Sequence, residues 1–158
     1  VVMAHSSVSK TGHKLLGGQT RSNTRHNELC IGGINADVAH TGDVSMLTDS
    51  ETLMINGIKL AKETWEETRN KLGWENSTMR RIFCHQVGSA HRKMLYETLK
   101  LEIKKDFSTL EYLGNTGSAS LPITMAIGIE KGLVKKDDNI AMLGIGSGLN
   151  CVMLGVQW

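Results

Sequence analysis

Apolar residues in this chain follow two rhythms, one returning every third or fourth position and one packed into short continuous runs, and their alternation lays out helices and strands in turn. Leu53, Met54, Ile58, Leu60, Ala61, Trp65 and Leu72 keep helical spacing, which predicts a helix from about 50 to 72 with one buried stripe. Asp49 or Ser50 can cap its start, Glu51 adds negative charge at the positive end of its dipole, and Gly73 can stop it. Ser89 is expected to cap a second helix reaching about 103, with Met94, Leu95, Leu99 and Ile103 facing inward. A third is expected over 118–131, closed by Gly132.

Runs at 1–5, 15–21, 43–48, 81–84, 139–145 and 151–158 have strand length. A polar connection over 6–13 makes the first two a hairpin, and a glycine-rich tight turn does the same for the last two. Between 22 and 42 the chain is rich in Asn, Gly, Thr and His and holds no period, so it reads as an irregular and potentially functional loop. The order ββ-loop-βα-βα-α-ββ predicts an α/β fold, a mixed five-stranded sheet with packed helices, in one domain over 1–158. Val1-Val2-Met3-Ala4 reads as the middle of a buried strand, so a preceding segment is expected.

Forty per cent hydrophobic residues, 17 glycines and one proline suit a globular core of this size. A net charge of +2 leaves no whole-molecule field for nucleic acid or a membrane surface. Because no apolar run approaches the roughly 20 residues of a membrane span and no signal sequence opens the chain, a soluble, cytoplasmic protein is expected. Three scattered cysteines, Cys30, Cys84 and Cys151, suit a reducing compartment without disulfides.

Candidate chemistry sits in three motifs: Phe83-Cys84-His85-Gln86, Gly114-Asn115-Thr116-Gly117-Ser118 and Gly144-Ile145-Gly146-Ser147-Gly148. His85 follows a buried strand and precedes a helix, at the strand end where α/β sheets bind ligands, and strand alternation turns Cys84 the other way, toward the core. Asn115 lies in a glycine-flanked turn entering a helix, where an Asn tolerates left-handed backbone and can project its amide. An imidazole and an amide can both donate to one carbonyl oxygen as it becomes anionic. The Gly146-Ser147-Gly148 run lacks the following helix of a dinucleotide loop and the spacing of a serine elbow. His26, Cys30 and His40 have loosely metal-like spacing but no second ligand pair, so no metal is expected. His91-Arg92-Lys93, in a wider basic group with Arg80, Arg81, Lys100, Lys104 and Lys105, can steer a phosphate of coenzyme A or an acyl carrier protein, with Arg92 as the candidate contact.

Together these motifs resemble the carboxyl-terminal half of β-ketoacyl-acyl carrier protein synthase III and its thiolase-fold relatives, most clearly over 83–158. Gly146-Ser147-Gly148-Leu149-Asn150 and His13-Lys14-Leu15-Leu16-Gly17-Gly18 look most like the branch that contains the olefin-biosynthesis condensing enzyme. The resemblance implies half of a thiolase-like fold, part of a Cys-His-Asn site that joins acyl thioesters by Claisen condensation in lipid synthesis. His85 and Asn115 match its histidine and asparagine, and Gly146, Ser147 and Gly148 match the loop offering an amide to the acyl oxyanion. The nucleophilic cysteine belongs to an amino-terminal half, and none of the three cysteines here matches its setting. The implied partners are that half, a coenzyme A or carrier-protein thioester as substrate rather than cofactor, and a second copy in a homodimer. Gly88 and Ala90 stand where many synthases carry an asparagine and a basic docking residue, which leaves coenzyme A open as the donor. Acyl transfer to an oxygen or nitrogen acceptor, and a non-catalytic assembly module, stay open beside condensation; the chain alone is expected to be inactive.

Overall fold

The computed structural model of the protein describes residues 3–9, 12–34 and 44–158. Strands β1 (Lys14–Ser22), β4 (Arg81–Cys84), β5 (Asn139–Gly146) and β6 (Asn150–Gln157) form a mixed sheet in the order β1-β6-β5-β4. β4 and β5 run parallel, and the other two pairings are antiparallel. Strands β2 (Cys30–Ile34) and β3 (Val44–Thr48) pair antiparallel in a sheet of their own. Among the described residues the main sheet thus has four strands rather than five. Residues 3–5 are irregular and lead into a turn closed by the Val8 and Ser9 N–H groups on His5 O, so they extend no strand; Val1 and Val2 lie outside the described residues. The strand expected at 43–48 pairs instead with β2, which falls inside the stretch read as irregular, and a 3-10 turn over Thr24–Leu29 precedes it.

Helix α1 (Ser50–Leu72) begins where the Asp49 carboxylate accepts the Thr52 N–H, and ends at Gly73, whose φ of 64° needs no Cβ penalty. Helix α2 (Ser89–Leu99) stops four residues short of expectation, because Lys100 takes a left-handed conformation at φ 55° and lets the Leu101 N–H bond back to Tyr96 O. Gly88 rather than Ser89 is its capping residue, and Ile103 and Met94 lie toward solvent while His91 and Tyr96 turn in. The one-turn helix α3 (Leu110–Leu113) is an element the apolar pattern did not announce. Helix α4 (Ser120–Glu130) follows a 3-10 turn at Gly117–Ala119.

Side-chain alternation along β4 divides the interior in two. Ile82 and Cys84 join Ala141, Leu143, Cys151 and Met153 beneath α1 and α2, with Trp65, Leu95 and Leu99 completing that core. Phe83 and Ile140 face the other way and pack with Phe107, Met125 and Ile129 beneath α4. Each fully buried large apolar side chain contributes roughly 1.5–3 kcal/mol, so the larger core under α1 holds most of the stabilisation. Small residues set how closely layers approach: a Cβ on Gly18 would meet Met153 O at 2.1 Å, just after a bulge in β1, and one on Gly128 of α4 would meet the Phe83 ring at 2.6 Å.

Candidate active site

His85 extends the β4–β5 pairing by one residue, its N–H bonding to Leu143 O at 2.9 Å. Its side chain lies on the α4 face of the sheet, the same side as Phe83, and lines a cleft of about 340 Å³. Met142, Gly146, Val152 and Leu154 form the sheet wall of this cleft, and Ser118 of the 3-10 turn with Leu121 of α4 forms the other. The lining is almost wholly apolar, as an acyl chain requires. Burial holds the imidazole below its ordinary pKa, so at neutral pH the ring is uncharged, with one nitrogen able to donate and the other to accept.

Asn115 lies on the segment joining α3 to α4, three residues before Ser118. Its backbone is not left-handed; Gly114 and Gly117 on either side take positive φ, at 65° and 61°. Asn115 Oδ1 accepts the Gly117 N–H at 3.0 Å, which leaves the Nδ2 hydrogens as what the side chain offers. The residue is exposed and does not itself line the cleft.

Of the glycine turn, Gly146 lines the cleft, and a Cβ there would meet nothing within 4 Å. Ser147 and Gly148 sit at the tip of the β5–β6 hairpin, where Gly148 takes φ 108° and Ser147 O accepts from Asn150 Nδ2. The tip is tied to the end of β1 by reciprocal backbone bonds between Asn23 and Leu149. Arg92 is engaged elsewhere: its Nε donates to Asp106, a carboxylate only 2% exposed, beside the Tyr96 hydroxyl and the Cys84 thiol on the α1 face. Its role is to keep a buried carboxylate compensated, and it does not line the cleft. The basic group also divides, since His91 is buried, Arg81 Nε bonds Leu133 O, and Lys105 bonds the carbonyls of Asn76 and Ser77.

Both core cysteines are poor nucleophiles, because burial pushes the Cys84 thiol up and the Cys151 thiol up to about 11. Cys30 opens β2 and accepts from Thr48 Oγ1. His26 lies in the turn before it, and His40 is outside the described residues. Among the described residues, no three His, Cys, Asp or Glu side chains converge as a metal site would need.

One group has no counterpart among the expected residues. Gln86, beside His85, is buried with Thr109 and Thr124. Its Oε1 accepts the Thr109 N–H at 3.1 Å, its Nε2 donates to Thr124 Oγ1 at 3.1 Å, and the two threonine hydroxyls lie 2.7 Å apart. Sequence supplied only the adjacency of Gln86 to His85; that threonines 23 and 38 positions on would meet it is a tertiary fact.

Over residues 70–158 the chain matches the family described as 3-oxoacyl-[acyl-carrier-protein] synthase III C terminal, and it belongs to that family. It is 37% identical, over its whole length and 46% of the relative's, to an acyl-CoA:acyl-CoA alkyltransferase of Shewanella oneidensis. It is 31% identical, over 96% of its length and 49% of the relative's, to β-ketoacyl-[acyl-carrier-protein] synthase III of Clostridium botulinum. Among solved structures, OleA of Xanthomonas campestris with bound lauric acid and lauroyl-CoA superposes with a TM-score of 0.87 at 37% identity, covering 98% of this chain and 43% of that one. The synthase III of Xanthomonas oryzae gives 0.86 at 38%, covering 98% and 43%. The fold is therefore the thiolase-like half that the motifs imply. The chain spans about half the length of the curated relatives it matches.

Proposed function

We propose that this chain is the carboxyl-terminal domain of an enzyme that condenses two acyl thioesters, with His85 and Asn115 donating hydrogen bonds to the thioester oxygen as the adjacent carbon becomes an enolate. The observation that carries this reading is an imidazole kept neutral by burial at the mouth of an apolar cleft. A neutral ring keeps one N–H to donate to a developing oxyanion. The amino-terminal half supplies a cysteine that takes the first acyl group with release of its carrier thiol, and a base that takes the α-proton of the second thioester; the enolate so formed makes the new C–C bond as the C–S bond to that cysteine breaks and its thiolate leaves. The working enzyme is a cytoplasmic homodimer.

Coenzyme A thioesters are the substrates this reading favours over carrier-protein ones. The acyl-CoA relatives are the more similar, at 37% against 31% identity. Gly88 and Ala90 offer no basic docking residue, and Arg92 is tied to Asp106. In the complete protein, His85→Ala and Asn115→Ala are each expected to lower condensation by on the order of a hundredfold. Transfer of the first acyl group to the cysteine, read by mass spectrometry of the intact enzyme, should persist. Undiminished release of coenzyme A and product by both variants would overturn the proposal in favour of an assembly module.

A further inference from the structure

The geometry points to Gln86 as a positioning residue that sets the distance between His85 and Asn115, through a closed ring of hydrogen bonds with Thr109 and Thr124. The inference rests on the role just proposed for His85 and Asn115. With the Thr109 hydroxyl donating to Gln86, the ring closes in one direction. A backbone N–H can only donate, so the Thr109 amide fixes the accepting end of Gln86 as Oε1 and its donating end as Nε2. Nε2 donates to Thr124 Oγ1, which frees the Thr124 hydroxyl hydrogen for Thr109 Oγ1 at 2.7 Å. The Thr109 hydroxyl in turn points to Gln86 Oε1 at 3.4 Å. Every member donates and accepts around the ring, and all three side chains are buried, the condition under which such bonds reinforce one another.

Two separate paths lead from this ring to Asn115. Along the first, Thr109 O accepts the N–H groups of Tyr112 and Leu113, closing α3, and Gly114 N bonds Leu110 O before the chain turns into Asn115. Along the second, Thr124 stands one turn of α4 after buried Ser120, whose hydroxyl accepts the Thr116 N–H at 3.0 Å. Gln86 itself is covalently next to His85. One amide thus ties the strand end bearing the imidazole to both ends of the segment bearing the carboxamide.

The complete protein carrying Gln86→Leu tests this, with Thr124→Val and Thr124→Ser as a second pair should the leucine variant fail to fold. Gln86→Leu and Thr124→Val are expected to lower condensation kcat by about ten- to a hundredfold, the cost of a small displacement of reacting groups. Acylation of the cysteine should continue at its normal rate, and Thr124→Ser, which keeps the hydroxyl, should restore condensation. A Gln86→Leu enzyme that condenses normally, a folded one that loses acylation and condensation equally, or a Thr124→Val enzyme indistinguishable from Thr124→Ser would overturn the inference. His85→Ala measured alongside separates the two levels: if it too condenses normally the proposed function fails, and if it alone is impaired only the role of Gln86 does.

Discussion

At the scale of single residues, the proton inventory around the cleft decides how the domain meets acid. His91 is buried near His85, and burial first, then the charge of that second imidazole, pushes its pKa down to about 4 from an ordinary 6.5. The unfolded chain takes up this proton at about 6.5 and the folded chain only near 4, so between those values protons favour unfolding. Stability contributed by neutral His91 is present above pH 6.5 and declines as pH falls toward 4, by on the order of 3 kcal/mol. Urea titrations at a series of pH values should show this slope in the parent chain and a flatter one in His91→Phe; equal slopes would refute the assignment. His85 is lowered in the same direction by burial, so its ring stays uncharged to lower pH than a free imidazole.

At the scale of elements, α4 earns its closeness to the sheet by what it lacks. Gly128→Ala places a methyl group 2.6 Å from the Phe83 ring and 3.2 Å from Phe107. Although alanine favours helix by about 1 kcal/mol, overpacking costs about 1–3, so the variant should be less stable in thermal and urea unfolding. An unchanged or raised midpoint would show that the helix can shift outward freely. Elements with their own signal were legible: the ends of α1 follow from Asp49 and Gly73, and the last two strands from their apolar runs and glycine turn. Those hidden from the sequence depend on choices a pattern does not record. Lys100 in a left-handed cap ends α2 without a glycine, and Cys30-Ile31-Gly32-Gly33-Ile34 becomes a strand because β3 lies beside it. The place of His85 at the end of β4 and of Gly146 at the end of β5 was legible from their motifs, whereas the Gln86 ring was not, because its members join only when β4, α3 and α4 are packed.

At the scale of the whole molecule, apolar surface remains uncovered, with Val152 in the cleft wall 39% exposed and Ile123 of α4 37%. The curated relatives are about twice as long, and on the function proposed above the occupant expected on this surface is the amino-terminal half. The 158-residue chain produced alone should bind a hydrophobic dye and associate as concentration rises, and co-expression with that half should suppress both. A monodisperse, dye-silent chain would argue against a half-covered domain. No described helix is long and apolar enough to cross a membrane. The division of β4, with Ile82 and Cys84 turned to one side and Phe83 and His85 to the other, carries a consequence for descent and engineering. The larger core lies on one side of the sheet and the cleft on the other. On the function proposed above, exchanging Met142, Val152 or Leu154 for larger or smaller side chains is expected to alter the acyl length accepted while leaving the core under α1 in place, so one scaffold can serve several acyl lengths.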